Sequence, residues 1–241
     1  MAETWNLLRR MGQKKIDQYK ESFQRSGRER VDKDLPLGIR MSGIVEIPQV
    51  DFILGGDQLK IKHPGDANVV ISYGHFPVGD SVVHRFYLDA SGMVYVLQIV
   101  TDRTNTVEEC KLFMPYDEVI PDDWEFWLGE RDGYIGYEIF DIKDGTRYFR
   151  VWDSDRKTVV EQDDQGNQIT RIPPMEYMET VYLSPWGEES ETVKYDSMLY
   201  GRQVNENLDE YLLLSAVSEK DGASVQIMVG IELQPASIKV I

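Results

Sequence analysis

Cysteine is nearly absent from this chain. Cys110 is the only one in 241 residues, so no internal disulfide can form and no second thiolate exists for a metal. Histidine is also scarce: His63, His75 and His84 are the whole set, and none pairs at the i, i+4 spacing of a helical zinc site. No cofactor or metal is expected. Long hydrophobic runs are missing. Nothing approaches the roughly 20 apolar residues that cross a bilayer, and the opening residues lack the apolar stretch of a secretory signal. These absences predict a cytoplasmic protein. Positive charge is in deficit, with 26 Lys or Arg against 42 Asp or Glu and a net of −16. That balance argues against a general nucleic-acid binder, because phosphates would meet a repelling surface.

The common catalytic signatures are missing too. Gly55-Gly56 is not followed by the Gly-Lys-Ser/Thr of a phosphate loop, and no Gly-x-Ser-x-Gly elbow occurs. Asp153-Ser154-Asp155 fails as a calcium loop. Lys157 and Thr158 stand where an oxygen ligand and a glycine belong, and Asp164 stands where a glutamate belongs.

What charge there is lies unevenly. Residues 1–34 hold nine Lys or Arg against six Asp or Glu, a net of +3, which leaves −19 on residues 35–241. The lead has helical periodicity. Leu8, Ile16, Tyr19 and Phe23 share one face, and Arg9, Arg10, Lys14, Lys15, Lys20 and Arg25 surround them. Such a helix can lie on an anionic membrane or dock on an acidic partner. It can equally pack on the acidic body of its own chain. Trp5, Arg9, Arg10, Lys14 and Lys15 are the candidate contact residues, and Trp5 and Trp186 are candidate exposed anchors in polar surroundings.

After Pro36 the period changes to two. Val225, Ile227, Val229, Ile231 and Leu233 alternate with Gln226, Met228, Gly230 and Glu232. The run 211–217 is apolar throughout, and Lys220-Asp221-Gly222 marks a hairpin turn between the two. Earlier strands are predicted at 39–47, 58–62, 69–76, 82–88, 93–101 and 107–114. Others are predicted at 138–142, 146–152, 179–183 and 192–202. Pro121 and the acids at 122 and 123 open a two-turn helix that Gly129 closes. The fold class is mainly β (α+β): antiparallel meanders forming a sandwich or barrel-like body, a short internal helix and a basic amphipathic N-terminal helix. The polar stretch 153–174 is either a boundary between two β halves or a long loop.

These landmarks resemble a bacterial family of unknown function, the YjfK-like family. The resemblance rests on Leu35-Pro36-Leu37-Gly38-Ile39-Arg40, His84-Arg85-Phe86-Tyr87-Leu88, Phe126-Trp127-Leu128-Gly129 and Asp144-Gly145 before Arg150-Val151-Trp152. It continues through Met198-Leu199-Tyr200, Asp221-Gly222-Ala223-Ser224 and Ile238-Lys239-Val240-Ile241. It implies no active-site residues. It does imply a setting among phage-shock-protein-A-type membrane proteins, small membrane proteins and ATP-grasp ligases, hence an accessory role near the inner membrane.

Three functional readings follow. The first is a noncatalytic interaction protein supporting an envelope-associated assembly. The second is an enzyme whose pocket joins His84 to the aromatic run Trp124, Phe126, Trp127, Tyr134, Tyr137 and Phe140. The third is a small-ligand sensor using the same residues, with His84, Trp124, Trp127 and Tyr134 as its ligand contacts. His84 alternates with Val82, Phe86 and Leu88, which also suits a satisfied core histidine. The aromatic run also suits packing of the short helix on a sheet. Cys110, alternating with Leu112 and Met114, reads as a buried thiol. Asp122, Asp123, Glu125 and Glu130 are candidate paired carboxylates for glycoside chemistry.

Overall fold

The computed structural model describes residues 29–130, 133–162, 166, 168–219 and 222–241. The predicted basic helix, and with it Trp5, Arg9, Arg10, Lys14 and Lys15, lies outside the described residues.

In chain order the strands are β1 (Ile44–Glu46), β2 (Asn68–Val78), β3 (Ser81–Ala90), β4 (Met93–Thr101) and β5 (Val107–Val119). Then come β6 (Ile139–Asp141), β7 (Arg147–Arg150), β8 (Thr158–Gln162), β9 (Gln168–Arg171) and β10 (Met175–Tyr182). The chain finishes with β11 (Ser190–Asn205), β12 (Leu208–Glu219), β13 (Gly222–Glu232) and β14 (Lys239–Val240). Two α-helices interrupt them, α1 (Val50–Gly55) and α2 (Trp124–Leu128).

Eight antiparallel strands close into a barrel in the order β2-β3-β4-β5-β13-β12-β11-β10, with β10 returning to β2. Hairpins make most of these joins, as alternation with polar turns predicts. One of them turns at Ser91-Gly92, where φ values of 53° and 95° suit a two-residue turn whose twist matches the strands. Beyond the part of β2 that β10 covers, β2 pairs with β1 and then β14. Beyond the part of β11 that β10 covers, β11 pairs with β7 and then β6. The sheet is therefore closed along one stretch and splayed along the other.

Both sheet faces are buried, which is why the strands are apolar beyond simple alternation. One face carries Phe76, Val83, Tyr87, Val96, Phe113, Tyr177, Val181, Tyr195 and Leu213. Arg85 on β3 lies 5.2 Å from the Tyr195 ring on β11, three strands round the wall, so this face is the concave one and lines the lumen. The opposite face carries Phe86, Leu88, Leu97, Ile99, Leu112, Leu214 and Val229. Residues from 39–61 and 135–148 complete that larger cluster.

The covering segments differ from the strands that alternation predicts. Residues 58–62 are not a strand. Glu210 of β12, fully buried, takes their backbone donors: Oε1 accepts from Lys60 N at 2.5 Å and Ile61 N at 3.1 Å. With those N–H groups bound to a carboxylate, no ladder forms there. Only three residues of 39–47 pair as a strand, because positive φ at Leu37, Gly38 and Ser42 turns the backbone before β1. The stretch 153–174 holds a hairpin, β8–β9, with β9's Arg171 also bridging to Tyr137. Trp186 is half-buried rather than an exposed anchor, since Arg30 lies 5.6 Å from its ring.

The start of the described chain is pinned. Asp32, fully buried, accepts from Arg30 Nε and from Met41 N, both at 2.7 Å, and Val31 N donates to Pro185 O at 2.9 Å. Residues 30–32 are therefore fixed on the body.

Candidate functional site

The aromatic segment is built on α2. Asp123 caps the helix, its Oδ1 accepting from Glu125 N at 2.9 Å and Phe126 N at 3.4 Å. The Gly129 amide closes the other end on Glu125 O, and the chain folds back so that Tyr134 N donates to Phe126 O and Ile135 N to Trp127 O. Arg171 fixes the return from below, donating to Gly133 O at 2.6 Å and Glu130 O at 2.9 Å.

This geometry sorts the aromatics. Tyr134 packs 4.9 Å from Phe140, which packs 5.7 Å from Tyr200, and this line runs into the core. Trp124, Trp127 and Tyr134 are half-buried against it. Phe126 meets Trp127 and Tyr134 at 5.6 and 5.5 Å yet stays 56% exposed, and Ile120 just before the helix is 64% exposed. Asp122, Asp123, Glu125 and Glu130 are all exposed around them. None lies in the apolar setting that a general acid needs.

His84 is elsewhere. On β3 its Nδ1 lies 2.8 Å from Tyr73 Oη and its Nε2 lies 3.1 Å from Thr101 Oγ1. With Tyr73 donating to Nδ1, the ring donates from Nε2 to Thr101, which is a neutral imidazole with both nitrogens used. Burial, aided by neighbouring His75, lowers its pKa to about 4. Beside it the rings of Tyr73, His75 and Tyr182 stand parallel, 5.7 to 6.2 Å apart. His75 leaves its Nδ1 buried without a hydrogen-bond partner among the described residues. Among those residues no hydrogen bond or ring contact joins His84 to Trp124, Trp127 or Tyr134.

The constellation that sequence reasoning missed is in the lumen. Arg85 Nη1 donates to Glu179 Oε2 at 2.7 Å, Nη2 to Tyr177 Oη at 2.8 Å and Nε to Gln98 Oε1 at 3.1 Å. Tyr87 donates to Glu179 Oε1 at 2.7 Å. Tyr177, Ser197 and Ser215 continue the chain at 3.0 and 2.7 Å. Gly74 makes room: a Cβ there would sit 1.8 Å from Glu179 Oε1. Burial, with Glu179 close by, pushes the Tyr87 hydroxyl well up, so it keeps its proton and donates. The signal was present as Val83, Arg85 and Tyr87 alternating on one face. Glu179 lies 94 positions away, and spacing cannot reveal that pairing.

Cys110 is buried at 1% exposure. Desolvation pushes its thiol up to about 12, and the nearby Lys111 does not offset this. Asp153 pairs with Lys157 at 2.9 Å. Among the described residues no three His, Cys, Asp or Glu gather as a metal cluster, and no helix is long and apolar enough to cross a membrane.

No curated protein and no solved structure matches the chain. A family model does, over residues 9–239, nearly the whole length. The chain belongs to the family described as protein of unknown function (DUF2491).

Proposed function

We propose that this is a noncatalytic interaction protein, an accessory to an envelope-associated assembly at the inner membrane. The basic lead supplies the contact, and Trp5, Arg9, Arg10, Lys14 and Lys15 meet an acidic or anionic surface. The observation that carries this reading is the charge split between residues 1–34 and the rest of the chain, +3 against −19. The anchoring of residues 30–32 on the body supports it, because a contact segment needs a fixed root. The partner it fits is a phage-shock-protein-A-type or small membrane protein, on the resemblance described above.

The experiment compares tagged full-length protein with a version lacking residues 1–28, which keeps the anchored residues 30–32, both purified from detergent-solubilised cells. The proposal expects a stoichiometric protein partner, identified by mass spectrometry, that co-elutes only with the full chain. Partner-free elution of both proteins, or robust turnover of a metabolite, overturns it.

A further inference from the structure

We propose that the joint between β10 and β2 is an acid-labile seam: protonation of His75 and His84 parts these two strands while the other joints of the barrel hold. The seam lies wholly in the β body, so its test is separate from that of the partner.

The closing joint is short. β10 and β2 share three residue pairs, Tyr73 with Tyr182, Gly74 with Val181 and His75 with Thr180. On its other side β10 shares eight pairs with β11, and β12 shares ten with β13. Parting β10 from β2 therefore gives up the least backbone pairing.

Both histidines stand on the outer face of this joint, as direct cross-strand partners on β2 and β3. The Tyr73 ring stacks on His75 at 5.7 Å and on His84 at 6.0 Å. The Tyr182 ring of β10 stacks on His75 at 5.8 Å and on Tyr73 at 6.2 Å. As neutral rings the two histidines fit. As imidazolium ions, with a proton on each nitrogen, they do not. His84 would lose the bond it accepts from Tyr73 at Nδ1. His75 would bury an N–H at Nδ1, which has no partner among the described residues. Two cations would share one aromatic stack.

No free carboxylate balances them within the stack. Glu179 of β10 acts on His75 from the opposite face of the sheet, and its oxygens already accept from Arg85 and Tyr87. Tyr73 and Tyr182 are phenols and bring no negative charge in acid. On β4 the group facing His84 is the Thr101 hydroxyl. Burial accordingly lowers both histidines, and His75 lowers His84 further. Once Tyr182 lifts away, the rings reach water and take up protons, so opening gains as pH falls. Opening also uncovers the lumen at Gly74, where the Glu179 carboxylate lies against β2 and pairs with Arg85.

Native-state hydrogen exchange of the full-length protein at pH 7 and pH 5, with intrinsic rates divided out, tests the seam. His84 is held at about 4 in the closed wall and returns to 6.5 when open, so the opening constant at the amides of 73–75 and 180–182 should rise roughly twentyfold from pH 7 to pH 5. His75 adds to the rise in the same direction. At pH 5 these amides should exchange faster than those of β12 and β13. Their exchange should be nearly insensitive to low urea, because parting three residue pairs exposes little surface. His75→Phe combined with His84→Gln should remove most of the rise. His75→Phe alone keeps the stack and gives up no hydrogen bond at Nδ1, and it should remove the share that belongs to His75.

Seam amides that exchange only together with β12 and β13, at the same urea dependence, would mean that the whole barrel unfolds. A rise that survives in the double variant would mean that other groups drive it. An unchanged opening constant would mean that the closed wall tolerates both protons. Each of these overturns the seam, and the first and third are read on the wild type, whatever the variants do.

Discussion

His84 and Cys110 are the two side chains with the most reactive chemistry in the β body, and burial governs both. A thiol held up near 12 is almost wholly protonated at neutral pH and is a poor nucleophile. Ellman's reagent should therefore leave Cys110 untouched in the native protein and react stoichiometrically in denaturant. Rapid labelling without denaturant would mean that the outer sheet face opens. His84 makes a statement about acid stability. Its folded value of about 4 lies below the ordinary 6.5, so between those limits the unfolded chain takes up a proton that the native ring refuses. Stability should fall as pH falls from about 6.5 to about 4, then lose this contribution's slope below that. Urea midpoints measured across that window should decline less steeply in His84→Gln than in wild type. Parallel slopes would remove His84 from the account. His75 is lowered in the same direction by burial and should retain part of the decline.

Elements here are held by single buried carboxylates that reach between distant parts of the chain. Glu210 serves three of them at once. Besides the amides of Lys60 and Ile61, its Oε2 accepts from Tyr148 Oη at 2.8 Å and from Arg202 Nη2 at 2.6 Å. One residue of β12 thereby ties down the 58–62 segment, β7 and β11. Glu210→Ala would leave the Arg202 guanidinium, half-buried, without its carboxylate and free two amides. The cost should be about 3–5 kcal/mol, as for other broken buried ion pairs. Chemical denaturation measures it, and hydrogen exchange should rise first at 60 and 61. A loss under about 1 kcal/mol, the range of an exposed pair, would mean that water replaces the carboxylate there. Element identity was legible where an apolar or alternating run has a turn at each end, as in β3, β4, β12 and β13. It was illegible at 58–62, where a side chain 150 positions away claims the backbone.

At the scale of the whole molecule, barrel closure depends on groups that meet only when the sheet curls. Arg85 contacts residues of β2, β4, β10 and β11 from β3. Arg85→Ala would strand the Glu179 carboxylate in the lumen with Tyr87 as its donor, and should cost about 3–5 kcal/mol. Arg85→Met combined with Glu179→Gln should recover much of that loss, because no charge remains buried. Urea midpoints of the wild type, the single and the double variant should then place the single lowest. Equal losses in both variants would mean that packing around the guanidinium, not its charge pairing, closes the barrel.

Patterning and composition alone fix the fold class of this protein and the distribution of its charge. Apolar alternation between polar turns dictates antiparallel strands, because the backbone must pair and the apolar face must leave water. Pro121, Asp123 and Gly129 dictate a short helix for equally local reasons. A basic lead on an acidic body is arithmetic. Long-range packing closes the sheet on itself through β10 and brings Arg85 to Glu179 inside it. It also decided that Phe126 stays outside while Tyr134 goes in, and that His84 stands apart from the aromatic segment. These outcomes depend on which residues meet across 60 to 150 positions of chain. A period of two fixes which face a side chain takes, and leaves open which strand lies across from it.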